Sequence, residues 1–241
     1  MEGPDLVTAA LESAAQFEAI YVDADEASSP ELVALTTRAL DLGVRVFELE
    51  RGVLGKVADA QTPQPVLAAV HFSAKVVNAI DCSGLILVLH DLKDPGNAGT
   101  IIRSADAAGV TAVIFTGHSV DPYNPKTLRA TAGSIFHLDV CVAPLDVTLE
   151  HFSRGAQTLA TVVHGGTSHR EVDFARPTVV VIGNEAQGLS DEVIAQCDRA
   201  ISIPMAGRSE SLNAGVAASL IAFEALWQRG YANSPPPTPS L

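Results

Sequence analysis

Apolar and polar positions follow first one and then another periodicity along the chain. The spacing predicts a helix over 4–12, a strand over 17–22, a second helix over 30–42, and strands over 44–49 and 66–72. Both helices open with proline in the first turn, where a missing backbone N–H costs nothing. This is the pattern of a small α/β unit over 1–75. A connector over 76–83 leads into a stronger alternation, with strands over 85–89, 112–115, 159–163, 178–182 and 201–203. Helices are predicted near 98–108, 124–131, 190–195 and 211–227. Strands that are apolar throughout, such as Leu-Ile-Leu-Val-Leu, belong to a parallel sheet covered by helices on both faces. The proline-rich end, 230–241, has the composition of a disordered tail.

Composition narrows the function classes. With 15 Lys+Arg against 28 Asp+Glu, the net charge of −13 excludes a generally polybasic nucleic-acid coat and leaves room for a local basic site. The 3 cysteines form neither a CxxC pair nor a repeated ligand spacing, which argues against a disulfide framework or a structural zinc and fits a reducing cytoplasm. The start lacks a basic n-region and the apolar runs are of strand length, so neither export nor membrane insertion is expected.

Three polar clusters each follow an apolar strand, the position ligand sites take in open α/β sheets. The first contains Asp94-Pro-Gly-Asn-Ala-Gly-Thr-Ile-Ile-Arg103, where Asn97 projects from a tight strand-to-helix passage. Arg103 lies further along the helix, and Asp106 is spaced to orient its guanidinium. The second is Val181-Ile-Gly-Asn-Glu-Ala-Gln-Gly-Leu189, which is neither a dinucleotide GxGxxG loop nor a Walker A loop. The third is Ile203-Pro-Met-Ala-Gly-Arg-Ser-Glu-Ser-Leu-Asn213, with Ser209 or Ser211 placed to cap the next helix. Taken singly, the first cluster also reads as a surface helix pair and the third as a capped core helix.

Lys126 and Arg129 on a helix after the second strand are candidate contacts for an anionic partner, or simply solvated charges. His90, His137 and His164 match no compact ligand spacing, and no metal is expected. Phe223 and Trp227 on the last helix read as packing residues.

In this order the three clusters resemble motifs one, two and three of the SpoU/TrmH family of RNA ribose 2′-O-methyltransferases. The likeness runs through Val120-Asp-Pro-Tyr-Asn-Pro-Lys-Thr-Leu-Arg-Ala-Thr-Ala-Gly133 and covers about 84–228. Residues 1–75 resemble, more weakly, the ribosomal-protein-like RNA-binding domain that often precedes such a catalytic domain, entered part-way. The resemblance implies an α/β fold with a C-terminal trefoil-knotted open parallel-sheet methyltransferase domain over 84–229, preceded by a small α/β domain. It implies S-adenosylmethionine (SAM) as cofactor, held in bent form by Leu159, Thr161, Gly183, Glu185, Leu189, Ile203, Leu212 and Asn213.

The resemblance also assigns catalytic parts to Arg103, Asn97 and Glu185, and it implies a homodimer formed through the last helix. A guanidinium is a poor general base, so Arg103 is expected to stabilise the developing alkoxide while a phosphate assists proton removal. Arg208 and Ser211, in the loop tied to motif three, join Lys126 and Arg129 as substrate candidates. The expected partner is rRNA or tRNA in the cytoplasm. Two alternatives stay open: methylation at another RNA position, and a non-catalytic RNA-binding or assembly protein that retains the fold.

Overall fold

The computed structural model describes residues 1–13, 15–57, 63–72 and 75–230. Two α/β units share a packed boundary. In the first, α1 (Pro4–Glu12) and α2 (Pro30–Asp41) lie on one face of a sheet ordered β2 (Val46–Leu49), β1 (Gln16–Asp23), β3 (Val66–His71), with a single-turn α3 (Leu54–Val57) between β2 and β3. Strand β1 pairs parallel with β2 and antiparallel with β3. Its buried positions Ile20 and Val22 meet Val7, Leu11, Leu32 and Leu35 of the two helices. The connector is not extended coil: Val77–Ala79 form a 3-10 turn, and Val77 and Ile80 are buried against the second unit.

The second unit is a seven-stranded, all-parallel sheet among the described residues. Its strands are β4 (Leu85–His90), β5 (Ala112–Thr116), β6 (Asp139–Val142), β7 (Gln157–Thr161), β8 (Thr167–Ser168), β9 (Thr178–Ile182) and β10 (Arg199–Ser202), in the spatial order β6-β5-β4-β9-β7-β10-β8. Helices α4 (Pro95–Ala107), α5 (Pro125–Thr131) and α8 (Ala214–Gln228) cover one face, where Leu85, Leu87 and Leu89 point. Helices α6 (Leu145–Phe152) and α7 (Asp191–Ala195) cover the other, where Ile86 and Val88 point. Burial on both faces is why β4 and β9 are apolar at every position.

Several expectations need correction. Strands β6 and β8 and helices α3 and α6 are absent from the sequence reading; β6 and β8 are short edge strands with weak periodicity. Strand β7 starts two residues earlier than expected, at Gln157, and β10 at Arg199. Helix α8 begins at Ala214, capped by Asn213, whose Oδ1 accepts the Gly215 and Val216 N–H groups at 2.9 and 3.3 Å. Neither Ser209 nor Ser211 caps it: the Ser209 hydroxyl donates instead to the Ser211 carbonyl. The proline-rich stretch 231–241 lies outside the described residues. No helix among the described residues is long and apolar enough to cross a membrane.

Candidate active site

The polar clusters meet at the carboxyl ends of β4, β9, β7 and β10. Strand β4 ends in a turn in which Asp91 takes a left-handed conformation, φ 55°, held by its Oδ1 accepting the His118 N–H at 2.6 Å. The backbone N–H of His118 favours the ionised Asp91 carboxylate and brings its pKa below the ordinary carboxylate value, against a smaller opposing effect of burial. Gly117 makes room for this turn, since a Cβ there would lie 2.6 Å from Asp91 Oδ1. Ser119 ties the same two loops by accepting the Leu92 N–H and donating to the Leu89 carbonyl, both at 3.0 Å.

From that platform α4 starts at Asp94, whose Oδ1 caps the Asn97 N–H. The Asn97 amide then joins all three clusters. Its Nδ2 donates to Glu185 Oε1 at 3.0 Å, and its Oδ1 accepts from Asn213 Nδ2 at 2.8 Å. Glu185 also accepts the backbone N–H groups of Lys93 and Asp94, at 3.4 and 3.3 Å. Burial opposes the Glu185 charge, but these donors outweigh it and hold the carboxyl below its usual value. Asn184 supports the loop from the other side, donating to the Asp91 carbonyl at 2.9 Å and accepting from the Ala186 N–H at 2.8 Å. Gly183 admits no side chain, because a Cβ there would meet Gly188 C at 2.4 Å.

Beside this junction lies a cavity of about 300 Å³, within the size range of small-molecule sites. Of the sequence candidates, Thr161, Gly183, Glu185, Leu189, Ile203, Ser211 and Leu212 line it. Leu159 is buried in the sheet core instead, and Asn213 sits beside the cavity as the α8 cap. Val162, Ser202, Met205, Ala217 and Ile221 also line it and are not singled out by the sequence, because an apolar or small residue in or beside a strand or helix carries no chemical signal of its own.

Arg103 stands on the exposed side of α4, about 9 Å along the axis from Asn97 at 1.5 Å per residue. Among the described residues it makes no hydrogen bond or ion pair, and it does not line the cavity. Asp106 does not orient it: that carboxylate pairs with His137 Nδ1 at 2.9 Å. Lys126 is exposed at the start of α5. Arg129 is engaged elsewhere, its Nη1 lying 3.5 Å from the buried Glu2 carboxylate. Arg208 is exposed on the loop before α8. Nor are Phe223 and Trp227 core residues, being 47% and 69% exposed; with Val216 and Leu220 they form an apolar stripe along α8. No group of three or more metal-ligating side chains is assembled among the described residues.

Residues 84–223 match the model of the SpoU rRNA Methylase family, and residues 1–68 match the MRM3-like substrate binding domain. A 23S rRNA (guanosine(2553)-2′-O)-methyltransferase of Bacillus subtilis is 30% identical over 224 residues, which is 92% of this chain and 86% of that protein. Among solved structures, the AdoMet-bound rRNA methyltransferase from Sinorhizobium meliloti superposes with TM-score 0.82 at 30% identity, covering 93% of this chain and 85% of that one. The SpoU methyltransferase AviRb from Streptomyces viridochromogenes, in complex with AdoMet, gives TM-score 0.82 at 31% identity, over 95% and 89% of the two chains.

Proposed function

Because the chain belongs to the SpoU rRNA methylase family, whose solved relatives bind AdoMet, we propose that it methylates a ribose 2′-hydroxyl of large-subunit ribosomal RNA with SAM as donor. One observation carries the reading: the Glu185–Asn97–Asn213 chain draws the three strand-end loops together around a cavity of suitable size. The rRNA preference rests on the Bacillus relative, aligned over both units of this chain.

The residues fit the donor. Ile203, Leu189, Leu212 and Ile221 offer apolar surface to an adenine ring, and the backbone at 183–189 offers N–H and C=O groups to its edge. The bound donor supplies an electrophilic methyl on a sulfonium. What remains for the protein is to place the hydroxyl in line, exclude water and stabilise the charge left on O2′.

Arg103 performs the last task. Its guanidinium does not take the proton, because it remains charged throughout the working pH range. It stabilises the oxyanion as the proton passes to a neighbouring phosphate oxygen. Asn97 and Glu185 keep the α4 start aligned with the cavity.

Two finer features belong to the same reading. In the strand order, β9 enters between β4 and β7, and the chain then returns past the 183–189 loop into α8, packed on α4; this supports a trefoil-knotted threading. The exposed stripe Val216, Leu220, Phe223 and Trp227 supports a homodimer formed through α8.

The test is transfer of radiolabelled methyl from SAM to unmodified 23S rRNA transcript, followed by nucleoside identification. A 2′-O-methylnucleoside is expected, with Arg103→Ala and Arg103→Lys both slow and both still binding SAM. A methylated base would overturn the ribose assignment, and SAM binding without transfer would favour a non-catalytic RNA-binding role.

A further inference from the structure

Three contacts seat the N-terminal unit against α5 and the segments on either side of it. Glu2 is only 7% exposed; its Oε1 accepts the Gln64 N–H at 3.0 Å, and its Oε2 lies 3.5 Å from Arg129 Nη1. That Nη1 is buried and finds no hydrogen-bond acceptor among the described residues, so the Glu2 charge is the group that compensates it. One turn further along, Ala9 of α1 is seated directly on Gly133, where a Cβ would lie 2.5 Å from the Ala9 methyl. Gly133 also has φ 92°, a conformation other residues rarely adopt. At the end of β3, Phe72 packs on Tyr123 and Phe136, with ring centroids 4.4 and 5.5 Å apart. Leu6 of α1 belongs to the core cluster of the second unit.

The seat leads directly to the candidate catalytic helix. Gly99 of α4 lies against α5 so closely that a Cβ there would come within 2.3 Å of the Ala130 methyl. Arg103 stands one turn further along α4. The path from α1 to Arg103 therefore crosses two glycine-mediated close contacts, Ala9 on Gly133 and Gly99 on Ala130, beside an ion pair whose carboxylate is buried. A loose tether would let the two units sample many separations; close-packed contacts of this kind oppose that.

We infer that the N-terminal unit is a fixed ruler: the nucleotide modified is selected by the set distance between the RNA element that unit holds and Arg103. Glu2, Ala9 and Gly133 are its positioning residues. The inference rests on the proposed RNA methylation, with the N-terminal unit as an RNA contact. It adds that the rigid seam, and not the cavity alone, determines the site.

Ala9→Leu wedges the seam with a side chain that suits a helix, and Glu2→Gln removes the charge facing Arg129. The substrates are an unmodified 23S rRNA transcript and a short hairpin carrying only the nucleotide that the wild type methylates. The readouts are the position of the methyl group, KM for each RNA, and SAM affinity. Both variants are expected to spread methylation to neighbouring nucleotides and to raise KM for the long transcript about tenfold, equivalent to 1.4 kcal/mol, with the hairpin and SAM affinity unchanged.

A single methylated nucleotide and wild-type KM in both variants would overturn the ruler. So would a fall in SAM affinity parallel to the KM change, because the seam would then act through the folding of the cavity. Absence of ribose methylation by the wild type overturns the underlying reading, a result distinct from either.

Discussion

Asn213 donates from its side-chain amide to Asn97 Oδ1 across 2.8 Å, while its own Oδ1 caps α8. One residue thus both starts the last helix and fastens it to the first loop. The bond is solvent-exposed, so its net worth is about 0.5–1.5 kcal/mol, and the cap adds about 1. Asn213→Ala is expected to lower stability by about 1.5–2.5 kcal/mol and SAM affinity by about tenfold. Asn213→Asp retains the cap and loses the donor to Asn97, so it should retain most of the stability and still lose affinity. Denaturant melts and titration calorimetry on the two variants separate these effects.

Glu185 provides a pH signature. Its lowered carboxyl means that its contribution to the folded loops is fully present above the ordinary value of 4.5 and is lost as pH falls through the lowered value. SAM affinity should therefore be flat from about pH 8 to 5 and fall only in more acid solution. Glu185→Gln has one acceptor oxygen for the donors of Lys93, Asp94 and Asn97, and it should bind SAM more weakly at every pH with the acid-dependent loss removed. Calorimetry across that range checks both statements.

The elements with the strongest apolar pattern were the easiest to read from the sequence. Strands β4 and β9 are apolar at every position because both faces are covered, and α1 begins at its N1 proline and ends at Glu12 as the pattern predicts. The first two loops were legible because each is a polar interruption directly after such a strand. Partners were not legible. Nothing in the order of residues distinguishes Asp106 beside Arg103 from Asp106 beside His137, since the choice depends on where the chain after α5 comes to rest. The left-handed Asp91 and its tie to His118 are equally silent, because a non-glycine residue at positive φ leaves no compositional mark. Trp227 looked like core because an apolar stripe reads the same whether it meets the protein's own sheet or another surface.

That stripe carries the third prediction. Val216, Leu220, Phe223 and Trp227 recur at helical spacing on the solvent side of α8. Trp227→Glu with Phe223→Glu places two charges in the proposed contact between copies, where leaving a charge unpaired is costly. Sedimentation should show the wild type as a dimer at micromolar concentration and the double variant as a monomer. Since α8 also walls the cavity through Ala217 and Ile221, the monomer should be impaired in methyl transfer as well. A monomeric, fully active wild type would defeat the dimer.

Lys126 and Arg129 lie three residues apart on α5 and separate in what they do. Lys126 is exposed and free to meet a phosphate, so Lys126→Ala should weaken RNA binding and reduce the slope of log K against log salt by about 1, without altering the melting temperature. Arg129 faces Glu2, whose carboxylate is buried and would be left without its cation. Removing one member of a buried pair costs about 3–5 kcal/mol, although the partial exposure of Arg129 places this one toward or below the lower end. Arg129→Ala should therefore lower the melting temperature, and Arg129→Ala with Glu2→Gln should recover part of the loss. If Arg129→Ala instead changes the salt slope as Lys126→Ala does and leaves stability untouched, then Arg129 is an RNA contact after all and its pairing with Glu2 is incidental.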